Sequence, residues 1–118
     1  MAIQKISDDI ILVELPSDSQ KIAVELEKTN EKISNSNCDV IIDFSMVEIL
    51  NSSNISNLLI LRSLLTESGN QLVFSNVAMA TKCIFVVAGL SDVFVFTDDK
   101  LSAISLIKSK RSEMKAHT

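Results

Sequence analysis

Apolar residues follow two different spacings along this chain. Short runs rich in Ile, Leu and Val have the character of β-strands, and longer segments between them carry apolar residues at every third or fourth position, as helices do. The predicted strands are Ala2–Ser7, Asp9–Leu15, Asp39–Phe44, Gln71–Val77 and Val93–Phe96.

Capping and turn residues bound the predicted helices. Residues 17–20 (Ser-Asp-Ser-Gln), with Ser17 as the N-cap, resemble a capping box ahead of a first helix that ends at residues 35–37. The second helix is predicted from about Ile55 to Ser68, the third over Ala78–Leu90, and a fourth after a cap at residues 97–99. On the second helix, we expect one buried side formed by Ile55, Leu58, Leu59 and Leu65.

The alternation of strands and helices predicts the fold class. Successive strand–helix–strand units favour right-handed crossovers and parallel strands. We therefore expect an α/β fold in a single domain, residues 1–118, with a mixed, mostly parallel central sheet of about five strands and about four helices. The first two strands can form an antiparallel hairpin at its edge. We expect residues 110–118 to be a frayed tail.

The composition supplies one core and disfavours several ligands. Of the 118 residues, 47% are hydrophobic, the net charge at pH 7 is −4, and Trp and Tyr are absent. Nucleic acids require a basic surface and often exposed aromatic rings, so we expect no nucleic-acid partner. No segment has the length of a membrane span, and no signal segment begins the chain, so we expect no membrane insertion. Cys38 and Cys83 are predicted to be buried thiols in the cytoplasm.

Residues suited to catalysis or cofactor binding are scarce. The only histidine is His117, near the end of the chain, and the only glycines are Gly69 and Gly89. These residues cannot supply a catalytic triad, a His–Cys metal site or a phosphate-binding glycine loop. The acidic pairs at residues 8–9 and 98–99 are expected to be solvated caps. We therefore predict a protein that is not an enzyme and holds no metal or cofactor.

The segment from Asp43 to Ile55 leaves a predicted buried strand and enters a helix through serines and asparagines. It resembles the STAS family, whose pattern is an apolar strand ending in Asp, a short loop, and Asp-Ser-Ser-Gly opening a leucine-rich helix. Residues 67–77 resemble the family's turn and following strand, and residues 88–94 its Ala-Gly-Leu turn. The resemblance covers nearly the whole chain.

The resemblance implies that Ser53 is a phosphorylation site. In anti-sigma factor antagonists of this family, the anti-sigma factor is itself a serine kinase, and phosphorylation of the second serine releases it. Two departures from the pattern are Asn51 in place of Asp and Asn54 in place of Gly. The alternative interpretation is that Asn51, Ser52 and Ser53 only cap the helix.

The resemblance also implies a partner surface around Ser53. We expect Asp43, Met46, Asn51, Ser52 and Asn54 to contact the partner. Asp43 either orients the loop or only ends the strand, and the sequence leaves both open. Val47, in contrast, is expected in the core.

Two functions follow from the resemblance. The first is an anti-sigma factor antagonist-like regulator that binds an anti-sigma factor or related serine kinase in a partner-switching pathway. The second is a non-switching STAS scaffold, or a soluble subunit of a signalling or transporter complex. The sequence does not decide whether the chain associates with itself.

Overall fold

The computed structural model describes residues 3–34 and 37–116, with side chains described as far as residue 113. Ala2, residues 35–36 and His117 lie outside the described residues. The elements in chain order are β1 (Ile3–Ser7), β2 (Ile10–Glu14), α1 (Ser19–Ile33), β3 (Asp39–Asp43), α2 (Ser52–Glu67), β4 (Leu72–Ser75), α3 (Met79–Val87), β5 (Val95–Thr97) and α4 (Lys100–Ala116).

The five strands form one mixed sheet in the order β1-β2-β3-β4-β5. β1 is antiparallel to β2, whereas β2, β3, β4 and β5 are parallel to one another. The predicted α/β fold, with its mostly parallel sheet and four helices, is confirmed. In the central register, Ile41 of β3 lies between Leu12 of β2 and Val73 of β4, so the apolar runs predicted as strands meet side by side.

The two faces of the sheet carry separate layers of core. Val40 and Ile42 of β3 belong to the larger cluster, which includes buried residues of α1, α2 and α3. Ile41, on the opposite face, packs with Ala103 and Ile107 of α4. Because helices cover both faces of the sheet, β3 does not alternate between apolar and polar residues in its middle part. The phenylalanines pack together in the larger layer, where the rings of Phe44, Phe74, Phe85, Phe94 and Phe96 form a contiguous group.

The ends of the first two helices differ from the prediction. Asp18, rather than Ser17, is the N-cap of α1, and its carboxylate accepts a hydrogen bond from the amide of Gln20 at 2.8 Å. α2 begins at Ser52, three residues before the predicted start. Its buried residues are Asn54, Leu58, Leu61 and Leu65, a spacing of four, three and four. Leu59 is therefore exposed, contrary to the prediction.

The last helix is held to the sheet where a frayed tail was expected. The Nε and Nη2 atoms of Arg111 donate to Oδ2 of the buried Asp39, with Nε at 2.8 Å, and Nη1 lies 2.9 Å from Oδ2 of Asp9. The other oxygen of Asp39 accepts from the amide of Gln71 at 2.7 Å. The expectation of a frayed tail is therefore wrong for residues 110–113, because Arg111 neutralises a carboxylate at the amino end of β3.

Cys83 is exposed on α3, contrary to the prediction of a buried thiol, while Cys38 is half-buried. Asp99 caps α4 as predicted, and hydrogen bonds from Ser102 hold the pKa of its carboxyl below the usual value.

Replacing Arg111 tests its contact with the sheet. Arg111→Ala leaves the buried carboxylate of Asp39 without its cation, so we expect the free energy of unfolding to fall by about 2–4 kcal/mol in urea titrations. Lys110→Ala, one residue earlier and exposed, is the matched control and changes it by less than about 0.5 kcal/mol. Equal effects of the two substitutions would contradict this account.

Candidate functional site at the start of the second helix

The loop between β3 and α2 is anchored by three apolar side chains. Phe44, Val47 and Leu50 are buried, with 2%, 8% and 7% of their surfaces exposed. The side chains of Met46 and Ile49 point outward and are each 64% exposed. Val47 lies in the core as predicted. Because every third residue of the loop is buried, the loop backbone is fixed against the core. The loop therefore exposes two large apolar side chains, Met46 and Ile49, on a backbone that its buried residues restrain.

Asp43 orients the first part of this loop. Its Oδ1 atom accepts hydrogen bonds from the amide of Ser45 at 2.9 Å and from Nδ2 of Asn76 at 3.2 Å. Asn76 has a φ of 57°, in the left-handed region that Asn tolerates better than most residues. Of the two predicted roles for Asp43, the geometry favours the orienting one, and it connects the loops that follow β3 and β4.

Two asparagines cap α2 reciprocally. The Oδ1 atom of Asn51, the N-cap, accepts from the amide of Asn54 at 2.8 Å, and Oδ1 of Asn54 accepts from the amide of Asn51 at 3.1 Å. The arrangement is a capping box in which asparagine takes the place of the usual Glu or Gln. The first turn of α2 contains no acidic residue, so neutral side chains alone satisfy these two amides.

The side chain of Asn54 lies inside the protein and is fully buried, with 0% of its surface exposed. Its Nδ2 atom donates to the carbonyl oxygen of Ser19, the first residue of α1, at 3.0 Å. The expectation that Asn54 contacts a partner is therefore corrected: its polar atoms are used in joining α2 to α1.

Ser52 and Ser53 lie on the outside of the same turn, and both are exposed, as is Asn51. Ser52 and Ser53 occupy the first two positions of the helix, where backbone N–H groups lack helical partners and the helix dipole is positive. A phosphate attached at this place meets favourable electrostatics from the helix. The loop and the first helical turn that follow the carboxyl end of β3 thus expose Ser53, Ser52, Asn51 and Met46.

A family model describes most of this chain. The model of the STAS domain matches residues 3–104. The chain belongs to the STAS domain family. No curated protein sequence shows a significant match to it.

Solved structures share the fold of this STAS domain at low sequence identity. A serine-to-glutamate variant of RsbS from Moorella thermoacetica is similar with a TM-score of 0.81 and 17% identity over 93% of this chain and 96% of that one. The anti-sigma factor antagonist SpoIIAA, unphosphorylated, has a TM-score of 0.77 and 14% identity over 91% and 95% of the two chains. A sulfate transporter family protein from Wolinella succinogenes has a TM-score of 0.75 and 15% identity over 89% of each chain. At these identities the likeness shows the fold.

The described residues contain neither a candidate membrane span nor a candidate metal site. Within residues 3–34 and 37–116, no helix has both the length and the hydrophobicity to cross a bilayer. The same part of the chain contains no group of three or more His, Cys, Asp or Glu side chains able to hold a metal ion.

Ile49 is an exposed residue of this loop that was not predicted from the sequence. Ile49 and Leu50 are adjacent and equally apolar, yet one is exposed and the other buried. The available signal was the spacing of Phe44, Val47 and Leu50, since a loop that buries every third residue leaves position 49 outside.

Substitution at the N-cap tests the asparagine capping box. Asn51→Ala removes the acceptor for the amide of Asn54, and we expect a loss of about 1 kcal/mol of unfolding free energy in urea titrations. Ser52→Ala, which alters an exposed neighbour on the same turn, should leave stability within about 0.5 kcal/mol of the original. An unchanged stability in Asn51→Ala would show that another group caps the helix.

Proposed function

We propose that this STAS domain is a regulatory binding protein of the anti-sigma factor antagonist type. In this proposal the surface formed by Met46, Ile49, Ser52 and Ser53 binds an anti-sigma factor or a related serine kinase, and phosphorylation of Ser53 releases it. The observation that carries the proposal is the exposed Ser53 in the first turn of α2, next to a loop that presents Met46 and Ile49. The protein acts by binding and catalyses no reaction.

The apolar part of the surface gives the partner something to bind. Buried neighbours hold the backbone at Met46 and Ile49, so a partner that covers them has to order the two side chains but not the loop itself. Large apolar side chains at the centre of an interface contribute more binding energy than the polar rim around them. Two such side chains beside Ser53 fit a contact centred on the loop.

A phosphate on Ser53 changes this surface without a need to unfold it. The modification adds about −1.5 to −2 charges at neutral pH. The N-terminal end of α2 accommodates the anion, since the first turn of the helix contains no acidic residue. A partner surface shaped for a neutral hydroxyl would have to bury this charge unpaired, and binding would weaken.

Solved relatives of the fold support the proposal. SpoIIAA is known in an unphosphorylated form and, from Bacillus, in a phosphorylated form. The glutamate of the RsbS variant places a negative charge where a serine stood. We propose by analogy that this protein is a bacterial transcription regulator and phosphoprotein that works in the cytoplasm.

A second candidate function is a non-switching subunit of a larger complex. The fold also occurs in a component of the stressosome, described as a signal integration and transduction hub, and in the sulfate transporter family protein. The neutral Asn51 favours this alternative, because the family pattern has an Asp before the serines. A Ser53→Asp variant that binds its complex as tightly as the original protein would support it.

Phosphorylation of Ser53 is tested with the purified protein. Incubation with ATP and the anti-sigma-type serine kinases encoded in the same genome, followed by intact mass measurement, should show the addition of one phosphate. Ser53→Ala should accept none, and Ser56→Ala, at an exposed serine three residues further along α2, should still accept one. The proposal fails if no kinase modifies the original protein, or if Ser53→Ala is modified as fully as the original.

The apolar contact is tested by substitutions on the loop. Met46→Ser combined with Ile49→Ser should weaken binding of the kinase by about tenfold or more, measured by calorimetric titration, while thermal stability stays nearly unchanged. Val87→Ser, on the exposed side of α3, is the matched control because Val87 is 88% exposed, and it should bind normally. Equal losses of affinity in the double variant and in Val87→Ser would mean that Met46 and Ile49 do not form the contact.

A further inference from the structure

The buried side chain of Asn54 connects the N-terminal ends of two helices. Its Nδ2 atom donates to the carbonyl oxygen of Ser19 at 3.0 Å, and its Oδ1 atom accepts from the amide of Asn51 at 3.1 Å. Ser19 is the first residue of α1, and Asn51 is the N-cap of α2. One side chain therefore contacts the backbone of both helix starts, and its bond to Ser19 joins residues 35 positions apart in the sequence.

These hydrogen bonds restrict how the two helix starts can move. A buried amide that loses one partner is left with an unpaired polar group, which costs far more than the same loss at the surface. Separating α1 from α2 at this point would break the bond to Ser19, and unwinding α2 would break the bonds to Asn51. The two helix starts are thus expected to move as one unit.

Ser53 lies inside this unit. It directly precedes Asn54, whose own amide is bound to Asn51, so hydrogen bonds on both sides hold its backbone. On the α1 side, the first turn contains the amide of Gln20, bound to Asp18, and the amide of Ile22, bound to the Asp18 carbonyl at 2.9 Å. The Asn54–Ser19 bond places the first turn of α1 next to the turn of α2 that contains Ser53.

We propose that Asn54 is a positioning residue that couples Ser53 to the first turn of α1. A negative charge at Ser53 strengthens the N-terminal end of α2 through the helix dipole. The Asn54–Ser19 hydrogen bond carries this effect to α1, so the surface that responds to the charge includes the start of both helices. The proposal rests on the proposed function in taking Ser53 as the residue that acquires the charge.

The coupling is tested by amide hydrogen exchange in a double-mutant cycle. Exchange is measured by NMR at Gln20 and Ile22 in the original protein, Ser53→Asp, Asn54→Ala and the double variant. We expect Ser53→Asp to slow exchange at these amides by about two- to fivefold in the original background. In the Asn54→Ala background the effect should fall below about 1.5-fold.

Matched variants separate coupling from a general loss of structure. Asn57→Ala changes a half-buried asparagine one turn further along α2, and it should retain the full response. Asn54→Leu keeps about the size of the side chain and removes the donor to Ser19 without adding a charge, so it should lose the response as Asn54→Ala does. Protection of amides around Leu61 shows that each variant remains folded, and Asn54→Leu serves if Asn54→Ala does not fold.

Other outcomes overturn the coupling. A response of equal size with and without Asn54 would mean that the charge at Ser53 acts on α1 directly. No response in the original protein would mean that the two helix starts are independent. These measurements need no kinase, so failure of the coupling is distinguished from failure of Ser53 to accept phosphate.

Discussion

The start of α2 has free backbone amides, and two neutral side chains satisfy two of them. Asn51 and Asn54 accept hydrogen bonds from each other's amides, and Asn54 lies fully buried against α1. The cap therefore requires neither an acidic residue nor the hydroxyls of Ser52 and Ser53, which remain exposed. Because the cap is formed without these hydroxyls, an added phosphate would change the surface charge while the capping bonds stay in place.

The sheet separates this surface from the ion pairs that hold α4. Asp39 begins β3 and binds Arg111, whereas Asp43 ends β3 and orients the loop leading to α2. Parallel strands bring their carboxyl ends to one edge, which is where ligands of α/β sheets commonly bind. The buried carboxylate with its cation thus lies at the amino edge, and the exposed polar residues Ser52 and Ser53 lie at the other. Charge can change at one edge without disturbing the ion pair at the other.

The strands could be predicted from local patterns in the sequence. A run such as Val40–Ile42 is buried on both faces of the sheet, so it consists of apolar residues only and is recognisable from its composition. The structure differs where a side chain has a distant partner. Asn54 was expected to contact a partner because of its place in the family's motif, but its side chain is buried and donates to Ser19. Arg111 was expected in a frayed tail, and its partner Asp39 is 72 residues away. Neither contact leaves a periodic signal along the chain.

In the proposed function, a phosphate on Ser53 turns partner binding off while the fold stays the same. The most direct measurement is a calorimetric titration of the proposed kinase partner with protein synthesised to carry phosphoserine at position 53, beside the unmodified protein. We expect the phosphorylated form to bind with an affinity lower by about tenfold or more, and the two forms to have matching circular dichroism spectra. Equal affinities for the two forms would contradict the proposed function.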